Sequence, residues 1–432
     1  MPPPRTGRER FVAALAARLP FHYAWVILAC ACTAGFSRTG SAVATLSIFI
    51  EPLTREFGWS HTEVSSAVSV GGVLGALVAP ALGVFLDRRG PRAMLLLAVA
   101  LTGSSLFLLS FTQSFAWFFV CYCIARMSFG VFYDLGVQGS IVSWFLERRA
   151  FAVSVSTLVT MAGLVSMPLI AHFVIEGWDW RTAWAAIGVT ALAVGFLPTF
   201  VLHAGKPEDL GMRMHGAAPA VAPSSRAKPL DPEPAFTRAQ AMRTSAFWLL
   251  SLFTLLLYPV QAGISLHQAP FLIERGLDSG AAARAVSTFA LFSALSGFAF
   301  GFWPRRVPMR FALALVGLLG GLAAILMMRI QTAPQAYAYA ALFGSGIGGL
   351  LTMLPIAWAD YFGRSSFGAI RGAALTVQVV AQAAGPVVSG ALRDWTGDYA
   401  ASLATFAALA FAGAGVALAA APPRAQAAQT RA

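Results

Sequence analysis

The chain has 432 residues, of which 58% are hydrophobic and 11% are charged, and its mean hydropathy is +0.71. Soluble proteins carry about 25% charged residues, so this chain has too few charges to cover a surface that faces water. The composition excludes a soluble enzyme and a disordered scaffold and indicates a membrane protein. The net charge of +12 comes from basic residues in short connectors between apolar runs. That pattern is typical of membrane topology signals and not of nucleic-acid binding.

Apolar segments of membrane-spanning length follow one another along the chain, since about 20 mostly apolar residues cross a bilayer as a helix. The twelve segments are 23–50, 60–86, 91–111, 115–146, 149–175, 180–202, 245–273, 279–303, 309–330, 333–362, 367–392 and 399–421. Residues 203–242 are polar and rich in proline, which predicts an aqueous linker. The predicted organisation is an N-terminal arm (1–22), a six-helix half (23–202), the linker (203–244), a second six-helix half (245–421) and a tail (422–432).

The distribution of Lys and Arg predicts the orientation, because cytoplasmic connectors are enriched in both residues. With the N-terminus in the cytoplasm, 22 of the 30 Lys and Arg residues fall on the inner side and six on the outer side. The remaining two, Arg38 and Arg126, lie inside the first and fourth segments. We therefore expect a multi-pass protein of the plasma (inner) membrane whose arm, linker and tail are cytoplasmic.

The connector after the second segment carries a G-x-x-x-D-R-x-G-x-R motif, formed by Gly83, Asp87, Arg88, Gly90 and Arg92. Gly83 permits close helix approach. Asp87 can cap the start of the next helix or pair with an arginine of a neighbouring helix. The motif resembles the one between helices 2 and 3 of the major facilitator superfamily, where it serves as a conformational motif.

Internal repeats extend this resemblance. A degraded copy of the motif follows the eighth segment, where Arg305 takes the place of the aspartate. Two six-helix halves with internal repeats are typical of the superfamily. Within it, the chain is similar to the monocarboxylate transporter family and its bacterial relatives, on stretches at 56–60, 144–150, 177–181, 206–211, 267–271, 275–277 and 361–368. The resemblance implies an all-α membrane protein with twelve transmembrane helices in the major facilitator fold, and a transporter rather than an enzyme.

The chain departs from the charges that this family uses for anions. Animal members carry a lysine on helix 1, where this chain has Ala42, and an Asp–Arg pair on helix 8, where 286–301 has no ionisable residue. The oxalate–formate exchanger relatives place a lysine on helix 11, where this chain has Gln378 and Gln382. The resemblance therefore implies the fold more firmly than the substrate.

Ionisable residues at bilayer depth cost at least about 2.5–3.5 kcal/mol each, so those present indicate function. They are Arg38, Arg126, Asp134, His267 and Asp360, on segments 1, 4, 7 and 10, which line the central cavity in the superfamily fold. A helical rise of about 1.5 Å per residue places Arg38 and Arg126 near the midplane. Two guanidinium groups there suit a carboxylate, although each arginine could instead satisfy a neighbouring helix.

The other embedded groups have two interpretations each. Asp134, His267 and Asp360 are candidates for proton coupling or gating, and a static counter-ion or a packed polar residue is the alternative for each. Neutral side chains complete the candidate substrate-binding set, although any of them could be a packing residue. They are Tyr133, Gln138, Tyr258, Gln261, Gln378 and Gln382.

No motif predicts a cofactor, a metal or a catalytic residue. The pairs Cys30/Cys32 and Cys121/Cys123 lack further zinc ligands nearby and are interpreted as small core residues. The absence of a P-loop argues against an ATP-driven pump. The sequence therefore predicts a secondary active transporter of a small organic anion, first of all a monocarboxylate, that works by alternating access with proton symport as a monomer. Exchange of the oxalate/formate type and proton-driven efflux of amphipathic compounds are the alternatives.

Overall fold

The computed structural model describes residues 7–59, 61–216, 234–304 and 306–423. Within these ranges the regular structure is helical, apart from one isolated β-bridge between Phe145 and His215. Arg305 of the predicted degraded motif, residues 217–233 of the linker and residues 424–432 of the tail lie outside the described residues.

Sixteen α-helices are described in the two halves of the sequence. Those of the first half are α1 Gly7–Arg18, α2 Ala24–Ser37, α3 Val43–Phe57, α4 His61–Leu109, α5 Phe115–Met127, α6 Tyr133–Trp144, α7 Arg149–Gly177, α8 Trp180–Ala191 and α9 Leu197–Leu202. Those of the second half are α10 Arg238–Met242, α11 Ser245–Glu274, α12 Ser279–Phe300, α13 Met309–Met328, α14 Ala333–Phe362, α15 Phe367–Thr396 and α16 Ala400–Ala419.

The predicted membrane-spanning segments are confirmed as helices. Eleven stretches among the described residues are long and apolar enough to cross a membrane. One of them, Ser66–Leu109, is 44 residues long and bends at Gly90, so it contains both the second and the third predicted segments. Gly90 has φ 80° and ψ 167°, a backbone conformation that a residue with a Cβ adopts only under strain.

Three membrane segments of the first half are interrupted where the sequence suggested continuous helix, one of them by a π-helical turn, Leu192–Phe196, between α8 and α9. Between α2 and α3 the chain forms a 3₁₀ turn, Arg38–Ser41, followed by Ala42 in an extended conformation. Between α5 and α6 it forms a π-helical turn, Ser128–Phe132. Such irregular backbone at membrane depth must satisfy its carbonyl groups within the protein, and here the Thr45 hydroxyl donates to the Thr39 carbonyl at 2.8 Å.

The chain divides into two units. The first comprises Met1–Phe236 and Phe362–Gly372, and the second comprises Thr237–Tyr361 and Ala373–Ala432. The short segment Phe362–Gly372 thus belongs to the first unit, although it follows the linker in the sequence. It contains the end of α14, the connector and the first residues of α15, and it brings several charged partners to the first unit.

In the first unit, the stretches around Glu56 and 177–181, which carry part of the family resemblance, meet each other. The Glu56 carboxylate accepts hydrogen bonds from Trp180 Nε1 at 2.7 Å and from the Arg181 guanidinium at 2.6 Å. Beneath them Phe49 and Trp184 stack with ring centroids 3.7 Å apart. These contacts join the end of α3 to the start of α8.

Candidate functional site

Arg38 and Arg126 come together on one aromatic ring. The Cζ atom of each guanidinium lies 4.6 Å from the centroid of the Phe129 ring. The Nε atoms of both arginines are buried and have no hydrogen-bond partner among the described residues. No described carboxylate lies within ion-pair distance of either group. The site therefore holds two positive charges in the membrane-spanning part of the first unit without a direct counter-ion.

Local structure explains how two helices present these arginines. Arg38 opens the 3₁₀ turn after α2, and Arg126 lies two residues before the π-helical turn that contains Phe129. The two irregular turns contact each other. On α4, Gly71 leaves room for the Arg126 side chain, because a Cβ at Gly71 would lie only 2.8 Å from the Arg126 Cβ.

Asp134 forms an ion pair with Arg371, a partner that the sequence analysis did not name. Its Oδ2 accepts a hydrogen bond from Arg371 Nε at 3.1 Å, and Oδ1 lies 3.5 Å from Arg371 Nη2. The Arg371 side chain is 1% exposed and that of Asp134 is 18% exposed. Asp134 also attracts the Arg38 guanidinium electrostatically, whereas Arg126 repels it. Three arginines and one aspartate thus form one charged cluster in the first unit.

Arg371 is the functional candidate that sequence reasoning missed. It was counted as a connector arginine because it lies only four residues after the start of α15. Its burial depends on the packing of α15 against elements far away in the sequence, and no local pattern shows this. A signal was available, however, since Arg371 lies within an apolar segment that has few other charges.

The connector motif is built around Asp87. The Asp87 carboxylate accepts hydrogen bonds from the backbone N–H groups of Gly368 at 2.7 Å and Ala369 at 2.8 Å. It therefore caps α15, not the helix that follows it in the chain. A Cβ at Gly83 would lie 2.1 Å from the Gly368 carbonyl oxygen, so only glycine permits this approach.

The arginines of the motif have other positions. Arg88 is exposed, whereas Arg92 donates a hydrogen bond to the Phe200 carbonyl at 3.1 Å. Nearby, Arg364 pairs with Glu208 of the linker at 2.7 Å. A cavity of about 460 Å³ adjoins the Asp87 cap, with polar lining from Asp87, Ser143, Lys206, Glu208, Arg364 and Ser365.

The neutral candidates divide between the two units. In the first, Tyr133 is fully buried, and the Gln138 Oε1 is buried without a hydrogen-bond partner among the described residues. In the second, Gln382 Nε2 donates to Gln261 Oε1 at 3.2 Å. Also in the second unit, Tyr258 is buried and Gln378 is half-buried.

The other two titratable candidates, His267 and Asp360, belong to the second unit. His267 Nδ1 accepts a hydrogen bond from the Tyr399 hydroxyl at 3.1 Å, and Nε2–H donates to the Pro386 carbonyl at 3.3 Å. Both ring nitrogens are thus engaged in the neutral form of the imidazole. Asp360 is exposed near the end of α14. The described residues contain no group of three or more His, Cys, Asp or Glu side chains that could hold a metal ion.

Comparison with known proteins agrees with this architecture. The family model described as Major Facilitator Superfamily matches residues 27–386. Monocarboxylate transporter 12 of Rattus norvegicus is 21% identical over 408 residues, which cover 88% of this chain and 82% of that protein. The same transporter of Homo sapiens is 20% identical over 405 residues, which cover 88% and 77%.

Solved structures share the fold. A crystal structure of the major facilitator superfamily transporter FucP in the outward conformation matches with a TM-score of 0.71 at 11% identity, covering 93% of this chain and 100% of that chain. A variant of the E. coli fucose:proton symporter FucP matches with a TM-score of 0.68 at 12% identity, covering 92% and 98%. With a family match over most of its length and membrane-spanning helices throughout, the chain is a member of the major facilitator superfamily, a multi-pass membrane transporter and not an enzyme.

Proposed function

We propose that this transporter carries a small organic anion, a carboxylate and first of all a monocarboxylate, by alternating access with proton symport. It would lie in the plasma (inner) membrane as a functional monomer, with its N-terminal arm, linker and tail in the cytoplasm. The name of the mammalian relatives, monocarboxylate transporter 12, supports the substrate class.

The observation that carries the proposal is the pair of guanidiniums on Phe129. A charge held at membrane depth without a counter-ion is costly, so a fold retains it where a ligand of opposite charge arrives. Guanidinium binds carboxylate through two parallel hydrogen bonds. Arg38 and Arg126 have buried Nε–H groups without partners, and these are the donors that a carboxylate accepts from. The interrupted helices at both arginines resemble the way in which transporters build midplane sites.

Asp134 is the proton carrier in this proposal. It can take up a proton only when its ion pair with Arg371 opens, because the proton and the guanidinium compete for the same oxygens. Protonation would thus release Arg371 and weaken the attraction of Asp134 for Arg38, which leaves Arg38 to the substrate. His267 suits this task less, since both of its ring nitrogens already have partners.

Uptake by the purified protein in liposomes with an alkaline interior tests this function. The panel consists of mono- and dicarboxylates with neutral analogues of similar size. We expect carboxylate uptake that requires the pH gradient and falls at least about tenfold in Arg38→Gln and Arg126→Gln. Arg55→Gln is the matched control, because the Arg55 side chain is 78% exposed and its one ion pair among the described residues is with Glu51 on the same helix. Transport restricted to neutral or cationic compounds, with active arginine variants, would refute the proposal.

Anion exchange is a second candidate, and the Asp134–Arg371 pair favours it. If that pair stays closed throughout the cycle, the site has two cationic groups and no proton carrier. The transporter can then return to its first conformation only with a second anion bound. Exchange predicts uptake that ignores the pH gradient and depends on carboxylate loaded inside the liposomes. The same assay separates the two modes by their dependence on the pH gradient and on internal carboxylate, whereas the arginine variants lose activity in both.

A further inference from the structure

Phe129 contacts both arginines of the proposed anion site through its ring. The two guanidinium carbons lie at the same distance from its centroid, 4.6 Å, so they cannot be farther apart than twice that value. Arg126 precedes Phe129 by three residues, whereas Arg38 comes from another helix. Phe129 itself is half-buried in the π-helical turn Ser128–Phe132.

An aromatic face holds a cation in a way that leaves its hydrogen-bond donors free. Cation–π attraction acts on the charge through the ring quadrupole and is worth about 0.5–2 kcal/mol, most where the cation is desolvated. A carboxylate or carbonyl partner would instead accept the guanidinium N–H groups and neutralise or occupy them. The ring therefore offsets part of the repulsion between two like charges without competing for the donors that a substrate needs.

The backbone places the ring for this task. A π-helical turn inserts an extra residue into a helix and is frequent at functional sites. Here it begins two residues after Arg126 and contacts the 3₁₀ turn that Arg38 opens. The side chains of Arg38 and Arg126 are long and flexible, so each would otherwise lose rotamer entropy on binding a ligand.

We propose that Phe129 is a positioning residue of the anion site, which fixes both guanidiniums and presents their free N–H groups to one carboxylate substrate. The inference rests on the proposed function and deepens it, because it assigns the affinity of the site to a residue that carries no charge. It also predicts that the electron density of the ring, and not only its size, sets the Michaelis constant for the anion.

Three variants test the role in the liposome uptake assay. Phe129→Leu removes the ring and should raise KM for the carboxylate about tenfold with little change in kcat. Phe129→Tyr keeps the ring and should restore KM to within about twofold of the parent. Phe132→Leu is the matched control, since Phe132 lies in the same turn and no guanidinium of the described residues lies over its ring, and it should leave KM unchanged.

A fluorinated ring separates electrostatics from packing if Phe129→Leu does not fold. Replacing Phe129 by a trifluorinated phenylalanine keeps the shape of the ring but weakens its attraction for cations, and KM should rise in this variant as well. A parental KM in both the leucine and the fluorinated variant, while Arg38→Gln and Arg126→Gln lose uptake, would overturn the role of Phe129 and leave the proposed function standing. A parent protein that moves no carboxylate would overturn both.

Discussion

The Asp134–Arg371 pair is a salt bridge largely out of contact with water, since the two side chains are 18% and 1% exposed. Removing the aspartate takes away the carboxylate 3.1 Å from a guanidinium that is 1% exposed. Such a loss typically costs about 3–5 kcal/mol, whereas removing both charges together costs far less. The pair is therefore a strong constraint on which single substitutions the first unit tolerates.

We expect Asp134→Asn to lower the free energy of unfolding by about 3 kcal/mol or more, measured by SDS titration in mixed micelles. The double variant Asp134→Asn/Arg371→Gln should recover most of that loss, because no buried charge is then left alone. Strictly additive losses in the two single variants and the double variant would show that the two side chains are not coupled.

Two adjacent glycines on α4 provide a test of how Arg126 is held. A Cβ at Gly71 would collide with the Arg126 side chain, whereas a Cβ at Gly72 has nothing within 4 Å. Alanine is a good helix former in either position. We therefore expect Gly71→Ala to raise KM for the anion several-fold and Gly72→Ala to leave it unchanged in the uptake assay. Equal values in the two variants would mean that Arg126 moves aside without consequence.

At the scale of elements, the start of α15 depends on a side chain from α4. Asp87 satisfies two backbone N–H groups at the N-terminus of α15, where the helix dipole also favours a negative charge. Losing a cap of this kind typically costs about 0.5–2 kcal/mol. Asp87 of the connector motif thus binds a helix terminus, Gly368 and Ala369, rather than an arginine.

Asp87→Ala should accelerate hydrogen–deuterium exchange at the amides of Gly368 and Ala369, because both lose their acceptor. Asp87→Asn keeps one carbonyl acceptor and lacks the charge, so its exchange rates should be intermediate. Arg88→Gln is a suitable control, since Arg88 is exposed in the same connector. Unchanged protection in Asp87→Ala would exclude the cap as a support of α15 in solution.

The described beginning of the linker is attached to the end of α6 through His215. The His215 backbone pairs with Trp144 and Leu146, and the His215 ring lies 5.3 Å from that of His22. Burial, together with electrostatic repulsion from His22 and Arg148, lowers the pKa of His215 below its ordinary value of 6.5, although Glu147 opposes this. The folded attachment therefore binds fewer protons than the free linker, so its stability falls as the pH drops below about 6.5.

Exchange at the amides of Met214–Gly216, corrected for the intrinsic effect of pH, should accelerate between pH 7.5 and pH 5.5. His215→Phe keeps an aromatic ring against Trp25 and Phe145 but cannot titrate. Its exchange should show little dependence on pH. A parent protein whose protection at these amides does not change over this range would refute the attachment as an acid-sensitive contact.

The helices could be predicted from the sequence and their interruptions could not. An apolar run of membrane length is a local signal, so most predicted spans, such as 180–202 and 333–362, agree with the structure within a few residues. The break at Arg38–Ser41 had a weak signal in its polar residues. The π-helical turn at Ser128–Phe132 had no signal in the sequence, because a wider helical turn needs no particular type of residue.

The candidate site was predictable only in its charges. Arg38, Arg126 and Asp134 stood out because charge in an apolar segment is rare. Their partners Phe129 and Arg371 did not stand out, since a phenylalanine is ordinary in such a segment and an arginine near a helix start looks like a connector residue. Those contacts depend on which helices pack together, and a single sequence does not specify this.

At the scale of the whole molecule, the proposed topology can be tested with few substitutions. The four native cysteines are free and buried, so they should react slowly with a maleimide that cannot cross membranes. Trp178 is 75% exposed in the connector between α7 and α8, and Arg213 is exposed in the linker. In intact cells Trp178→Cys should be labelled at once, and Arg213→Cys only after permeabilisation. Labelling of Arg213→Cys before Trp178→Cys would contradict the proposed orientation.

The membership of Phe362–Gly372 in the first unit has a consequence for biosynthesis. A ribosome completes α2 to α9 long before it reaches Phe362–Gly372. During that interval, three acidic side chains lack the partners that this segment provides. Asp87 then lacks the amides of α15, Asp134 lacks Arg371, and Glu208 lacks Arg364. The contacts of the first unit are thus complete only after this late segment is made, and a chain that ends in the linker would lack the partners of these three carboxylates.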